Sequence, residues 1–379
     1  MGYVCVGLGQ EISCNPKCFT LSLTPKSPNA IIKSYRILLW GTSLSKCTLE
    51  RPGHVSLSSV PETTLNLYTK KKPLSATVAD KYRISDLSSP NYCWHVVLDI
   101  AGSQMARKYR IGQSVGVIPT GRFQNAEFNL AHNQIRKGTL ASKIRLYSIA
   151  SACWGDNWEG NTISLCVKRE LQEDIESGEL VMGAASNYIC DAAIGDQVMI
   201  TGPVGKSFLL PDNPLDHNYI FAATGTGIAP YRGMLIELFN QGFEKEAWLF
   251  FGVPYSTDIM YDDEFRYLDD RHSNFHYVTA ISREQTNDQG GRMYVQDRLA
   301  QYADQLVSLL NQPTTLMYLC GLKGMEYGIY PWLYGIESNL VKLPDGLSIQ
   351  DIQDLPRSSK EWPRIERARD KNRLFKETY

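Results

Sequence analysis

The rhythm of this 379-residue chain changes once, near Asp216, and that change decides what it can fold into. Before it, short β-type runs follow one another across turn residues: Ser75 to Arg83, Cys93 to Ile100, Ser114 to Ile118, Ile144 to Ser151, Thr162 to Lys168 and Gln197 to Ile200. Strands at such spacing, with Gly- and Pro-containing connections, predict an antiparallel β-barrel. Gly121 to Lys143 lacks periodicity and reads as a surface loop. After the change, apolar strands alternate with helices. Tyr219 to Ala223 leads into a Thr224-Gly-Thr-Gly227 turn and a helix from Pro230 that Gly242 can end. Strands Ala247 to Val253 and Phe275 to Ala280 follow, then one long helix with Val295, Leu299, Tyr302, Leu306 and Leu309 on a single stripe, then a closing strand Thr315 to Leu319. This alternation predicts an α/β, doubly wound parallel sheet. The expected fold is two-domain: a barrel over 66–212 and the α/β unit over 213–379, after an extension over 1–65.

That extension holds nine Ser and six Thr, six Lys or Arg, three Glu and no Asp, the composition of an organelle transit peptide. A lineage-specific extension is the alternative, and Ile31 to Trp40 is apolar enough for a short strand. Across the whole chain 39 Lys and Arg balance 40 Asp and Glu, which argues against a nucleic-acid binder. The longest apolar stretches, Ile37 to Trp40 and Trp248 to Val253, are too short to cross a bilayer, so no transmembrane segment is expected. Nine scattered cysteines without a CxxC pair, and six histidines without an HExxH spacing, predict no metal site and no disulfide framework.

Two segments point to chemistry. Thr224 to Pro230 lies between an apolar strand and a helix, where free backbone N–H groups and the helix dipole meet phosphate. It is not a full GxGxxG, and an ordinary tight turn fits it as well as a dinucleotide site. Arg145-Leu-Tyr-Ser-Ile-Ala-Ser151 places polar side chains in an apolar strand. Arg145 suits a pyrophosphate, Tyr147 offers a flat face to an aromatic ring and Ser148 a small donor beside it. A sheet rim with exposed polar residues is the plain alternative.

Taken together, Arg145-Leu-Tyr-Ser, Leu165-Cys-Val-Lys168, Ser186-Asn187, Thr201-Gly-Pro-Val-Gly-Lys206, Gly225-Thr-Gly-Ile-Ala-Pro230 and Cys320-Gly-Leu-Lys-Gly-Met-Glu326 resemble plant-type ferredoxin–NADP reductase in order and spacing. The resemblance runs from near Leu65 to Gly328 and resumes at Glu377-Thr-Tyr379, roughly three-quarters of the chain, too many ordered motifs for chance. It implies a barrel that binds FAD and an α/β domain that binds NADP. Arg145, Leu146, Tyr147 and Ser148 would hold FAD, with Tyr147 stacked on the isoalloxazine and Ser148 near its reactive nitrogen. Leu165, Val167 and Lys168 would line the adenine and ribose, and Gly183 and Ser186 would open a helix against the pyrophosphate. Ala184-Ala185 stands where the family usually carries Val-Cys. Lys206, Thr226, Gly227 and Gly321 are further cofactor-binding positions on the same ground. Ser282, Arg283, Arg292, Tyr294 and Gln296 resemble the family's 2′-phosphate and adenine site; two guanidinium groups and a hydroxyl match a dianionic phosphate, and NADP is preferred over NAD. Solvated loop charges are the alternative reading of both arginines.

The implied catalytic residues are Ser148, Cys320, Glu326 and Tyr379. Cys320 and Glu326 would stand beside the nicotinamide, Ser148 and Glu326 would form a proton route, and Tyr379 would cover the flavin until nicotinamide displaces it. Tyr330 to Arg373, with Trp332, Trp362 and a run of basic residues, does not follow the family. The implied activity carries electrons from reduced ferredoxin through FAD to NADP, ending in hydride transfer to the nicotinamide. The alternatives are a related NADPH-dependent enzyme serving flavodoxin or ferredoxin in reverse, and a tethered non-enzymatic flavoprotein. Acidic ferredoxin would dock on local basic clusters, Lys70-Lys71-Lys72, Arg107-Lys108 with Arg110, and Lys143. The expected location is a plastid, in the chloroplast stroma or peripherally on the thylakoid surface, with a cyanobacterial cytoplasmic or thylakoid-associated enzyme as runner-up.

Overall fold

A computed structural model describes residues 62–120, 144–173 and 180–379. The extension up to residue 61 and the loop expected at Gly121 to Lys143 lie outside the described residues. The first half forms β1 (Leu74–Arg83), β2 (Cys93–Asp99), β3 (Ser114–Val117), β4 (Arg145–Ser148), β5 (Thr162–Lys168), the short pair β6 (Leu171–Glu173) and β7 (Leu180–Met182), helix α1 (Ala184–Asp191) and β8 (Gln197–Val204). Six of these strands build one antiparallel sheet in the order β4-β3-β8-β1-β2-β5. A bridge between Ile149 and Leu165 brings its two ends together, closing the barrel that the sequence predicts. Period-two alternation drives this. Ala76 and Val78, Val96 and Leu98, Val115 and Val117, Ile163, Leu165 and Val167, and Val198 and Ile200 all face inward, fully buried.

The second half forms β9 (Asn218–Thr224), α2 (Ala229–Asn240), β10 (Ala247–Val253), α3 (Asp262–Arg271), β11 (Phe275–Ile281), α4 (Val295–Gln301), α5 (Ala303–Leu310), β12 (Thr315–Gly321), α6 (Glu326–Gly335), α7 (Ile349–Gln353), α8 (Trp362–Arg367) and β13 (Leu374–Thr378). Its five strands pair in parallel in the order β11-β10-β9-β12-β13, the doubly wound arrangement expected. Every residue of β10 and β12 is buried, as strands covered on both faces must be.

Three elements depart from the sequence reading. The single long helix is two: Tyr302 leaves helical geometry at φ −107° and ψ 20°, and its N–H is shared between the Arg298 and Leu299 carbonyls. Its ring packs against Trp248 and Phe250 instead of continuing the stripe. Helix α3 shows no apolar stripe in the sequence, because only Phe265 and Leu268 of its ten residues are buried. Strand β13, added beyond the expected closing strand, is polar and returns after α7 and α8. Those helices occupy the segment that the family resemblance left unplaced. They are held by Ile352, Trp362 and Ile365, buried against α6.

The two sheets share one core. Cys93, Ala150, Cys166, Phe208 and Leu210 of the barrel half pack with Phe221, Tyr231, Met234 and Phe251 of the α/β half. Inside this contact lies a polar knot. The fully buried Arg232 of α2 donates from Nη1 to the Ala150 carbonyl at 3.1 Å and to Asp156 at 2.8 Å, and from Nε to Glu264 at 2.7 Å.

Candidate functional site

In the parallel sheet β9, β10 and β11 step one way from the centre while β12 and β13 step the other, so the order reverses between β9 and β12. Loops at such a reversal splay apart and leave a crevice for a ligand. Here they also interlock. Gly227, in the 3₁₀ turn Gly225–Ile228, sits so tightly on the end of β12 that a Cβ there would lie 2.2 Å from the Cys320 carbonyl oxygen. Gly321 has φ +132°, and a Cβ on it would meet the Thr224 Oγ1 at 2.3 Å. Leu322 N–H donates to that same Oγ1 at 2.8 Å. Both glycines are required by backbone approach, which fixes Thr226 and Cys320 at the crevice.

Cys320 is buried, and burial, then the nearby Glu377, pushes its thiol up, so it stays neutral. In β13, Cys320 pairs with Glu377 and Gly321 with Thr378. Tyr379 follows, its N–H donating to the Gly321 carbonyl at 3.0 Å and its hydroxyl 2.6 Å from the Thr226 Oγ1, while the residue remains 63% exposed. Burial pushes the Glu377 carboxyl up to about 7. Its Oε1 would lie 3.9 Å from a Cβ on Gly205, so it faces the barrel half.

Glu326 is elsewhere. It opens α6, is fully buried, and pairs with Lys376 at 2.7 Å while accepting from the Thr378 hydroxyl. Lys376 and Thr378 occupy the face of β13 opposite Glu377, since successive strand residues alternate. The carboxyl that meets Cys320 is therefore Glu377, not the expected Glu326. The signal that could have found it is the alternation Phe375, Glu377, Tyr379, which puts one face of a terminal strand on the barrel side.

On the barrel half, Arg145 and Leu146 of β4 are exposed, while Tyr147 and Ser148 are half-buried. Tyr147 packs on the barrel core, and burial raises its hydroxyl pKa. Leu165 and Val167 are fully buried in the barrel core, and Lys168 at the strand end is exposed. Gly183 precedes α1, where a Cβ would stand 2.8 Å from the Ser186 Oγ and 2.9 Å from the Glu170 Cβ. Among the described residues no side chain caps this helix, which leaves its first N–H groups to an anion. An uncapped helix start, a glycine that only a bare backbone fits, and an Arg145 with no carboxylate partner among the described residues fit a flavin dinucleotide.

The predicted 2′-phosphate residues come together after β11. Arg283 N–H donates to the Pro254 carbonyl at 2.9 Å, Thr286 bridges Arg292, and Met293 N–H donates to the Gln285 carbonyl at 3.1 Å, so Ser282-Arg283 and Arg292-Tyr294 share one loop. Neither guanidinium has a carboxylate partner among the described residues, and both are exposed. Tyr294 opens α4, its N–H bound by Asp297. Gln296 is wedged on α6, where a Cβ on Gly328 would touch its Cδ at 2.4 Å. Lys206, after β8, is exposed. Of the basic clusters, Lys70 to Lys72 and Lys108 are exposed, but Arg107 is bound to the Glu159 carbonyl and Arg110 to Asp212 and the Leu210 carbonyl; Lys143 lies outside the described residues. No helix among the described residues is long and apolar enough to cross a membrane.

Known proteins share this arrangement. Residues 221–330 match the oxidoreductase NAD-binding domain family. The chain is 42% identical over 283 residues to the chloroplastic root-type ferredoxin–NADP reductase of Nicotiana tabacum, covering 73% of this chain and 72% of that protein. It is 39% identical over 304 residues to the ferredoxin–NADP reductase of Picosynechococcus, covering 77% and 72%. Among solved structures, ferredoxin–NADP+ reductase of Plasmodium falciparum with 2′P-AMP superposes with a TM-score of 0.59 at 26% identity, covering 84% of this chain and all of that one.

Proposed function

Because this chain belongs to the ferredoxin–NADP reductase family, we propose that Ser148, Cys320, Glu377 and Tyr379 mark the place where the flavin and nicotinamide rings meet. The protein exchanges electrons between ferredoxin and NADP using FAD. When bound, FAD accepts single electrons and exchanges a hydride; the polypeptide binds, orients and moves protons.

The barrel half, over 66–212, takes FAD. Arg145 and the open N-terminus of α1, with Gly183 and Ser186, hold the pyrophosphate. Tyr147 and Tyr379 would hold the isoalloxazine, and Lys168 would reach the adenosine end. The α/β half, over 213–379, takes NADP. Arg283, Arg292 and Ser282 clamp the 2′-phosphate, Tyr294 stacks on the adenine, and the Thr226-Gly227 and Gly321 turns approach the pyrophosphate with bare backbone. A neutral Cys320 thiol makes a small apolar wall beside the nicotinamide. Glu377, with a pKa near neutrality, holds or releases a proton at the crevice, and Ser148 donates a hydrogen bond across from it. Glu326 has a supporting place behind the strand.

The carrying observation is the interlock of the β9 and β12 loops with the end of β13, which brings Thr226, Cys320, Glu377 and Tyr379 to one crevice facing the barrel. Chloroplastic and cyanobacterial relatives support work in a plastid, with ferredoxin docking at Lys70 to Lys72 and Lys108. The test is the visible spectrum of the purified protein, titrated with NADP+, together with NADPH-dependent reduction of ferredoxin. A colourless, NADPH-inert protein after reconstitution with FAD overturns the reading.

A further inference from the structure

We propose that Lys376 is a positioning residue for the hydride step, held by Glu326 and Glu366 so that β13 presents Glu377 and Tyr379 to the crevice. The proposal rests on the reading that Glu377 and Tyr379 line the site.

Among the described residues strand β13 is an edge strand, paired with β12 alone. Its two faces do different things. Phe375, Glu377 and Tyr379 look toward the barrel, with Phe375 stacked on Tyr318 at 4.6 Å. Leu374, Lys376 and Thr378 look toward α6 and α8. On that second face the Lys376 ammonium lies 2.7 Å from Glu326 and 2.6 Å from Glu366. Thr378 donates to the other Glu326 oxygen, and Lys323, beside the β12 loop, lies 3.6 Å from Glu366. Glu326 is fully buried, and Lys376 and Glu366 are each 16% exposed.

Burying two carboxylates against an ammonium is a poor way to gain stability, since apolar side chains of similar volume do as well. It is a strong way to fix register. A slip of β13 by one residue exchanges its two faces, burying Glu377 behind the sheet and turning Lys376 into the crevice. The ammonium can satisfy both carboxylates from one position only, so it excludes the slip. Glu366 comes from α8, in the segment that does not follow the family resemblance, so this chain uses that segment to hold its reactive strand.

The test compares the FAD-loaded variants Lys376→Met, Lys376→Arg, Glu366→Gln and Glu377→Gln, reading FAD content, flavin fluorescence, and kcat and KM for NADPH with ferricyanide. Lys376→Met is expected to keep its FAD, to lower kcat by about 10- to 100-fold, as ångström-scale misplacement does, and to brighten the flavin as Tyr379 moves away. Lys376→Arg restores most of the kcat, and Glu366→Gln gives a smaller loss of the same kind. If Lys376→Met fails to fold, Glu366→Gln decides. Wild-type kcat and emission in flavin-loaded Lys376→Met and Glu366→Gln overturn the proposal. Should Glu377→Gln lower kcat while Lys376→Met does not, the positioning role alone fails; should neither do so, the assignment of the site fails with it.

Discussion

Cys320 and Glu377 sit opposite one another in the parallel β12–β13 pair, a buried neutral thiol beside a carboxyl pushed up to about 7. A group that is half protonated at neutral pH, at the mouth of the crevice, is suited to exchange a proton with solvent while a hydride moves. The kcat for NADPH oxidation should show an ionisation near pH 7. Glu377→Gln should flatten that limb and lower kcat by about 10²-fold, a typical contribution of general acid–base catalysis. A wild-type profile in the variant would assign the ionisation to another group.

The same shift has a stability consequence with a definite sign. The folded pKa lies above the ordinary carboxyl value of 4.5, so the protonated form is favoured by folding. Its stabilising contribution is complete below about 4.5 and is lost as pH rises through about 7. Glu377→Gln should therefore match the wild type in urea at pH 4.5 and exceed it by about 1–3 kcal/mol at pH 8. Equal stability at both values would remove burial as the cause of the shift.

Ser148 is half-buried at the end of β4, opposite Ser114 in the β3 ladder. Its hydroxyl has no hydrogen-bond partner among the described residues, so Ser148→Ala should leave the fold and the FAD stoichiometry intact. Hydride transfer, followed by stopped-flow bleaching of the flavin with NADPH, should slow by about tenfold or more, the value of a well-placed hydrogen bond to the reacting system. Unchanged transfer would take Ser148 out of the mechanism.

Arg283 and Arg292 share a loop, are exposed, and have no carboxylate partner among the described residues. Each charge-assisted contact to a phosphate contributes about 1.5–3 kcal/mol, so Arg283→Ala or Arg292→Ala should raise KM for NADPH by roughly 10- to 100-fold. The KM for NADH, which lacks the 2′-phosphate, should barely move. Parallel losses with both nucleotides would mean that these arginines shape the loop instead.

How much of this was legible depends on what carried each feature. The barrel was, because Val96 and Leu98 or Val115 and Val117 repeat at period two whatever lies around them. The parallel sheet was, because β9, β10 and β12 are continuous apolar runs. Helix α3 was not: its first turn is Asp262, Asp263 and Glu264, and two buried residues make no stripe. Strand β13 was not, since Leu-Phe-Lys-Glu-Thr carries its partners' chemistry more than its own propensity. The Gly225-to-Pro230 and Cys320-to-Glu326 segments meet at the ends of β9 and β12, but Glu326, which the family resemblance implies, pairs with Lys376 and Thr378 on the other face of β13. The carboxyl that meets Cys320 in space arrives by pairing of a distant strand, and no local pattern encodes that pairing.

Arg232 is fully buried, tied to the Ala150 carbonyl, Asp156 and Glu264, and Asp156 in turn lies 2.8 Å from His95, whose other ring nitrogen is 2.9 Å from the Tyr261 hydroxyl. Burial alone would raise the Asp156 carboxyl, but Arg232 and His95 overcome it and hold it well below the usual range. Arg232→Met leaves Asp156 and Glu264 without their guanidinium in a dry contact and should destabilise by about 3–5 kcal/mol at pH 7. The exposed Arg266–Asp262 pair on α3 is the control, and Arg266→Met should change stability by less than about 1 kcal/mol. A depressed carboxyl gives stability that is present above its unfolded pKa and lost as pH falls through its folded one. The gap between wild type and Arg232→Met should thus narrow as the pH drops below about 4, where the unfolded Asp156 takes up its proton. Because Ala150 follows the Tyr147-Ser148 strand and Arg232 follows the Gly225–Ile228 turn, the same substitution should also slow hydride transfer in the molecules that remain folded. A gap that stays constant from pH 7 to pH 3 would mean that Arg232 acts through packing and not through its pairing with Asp156.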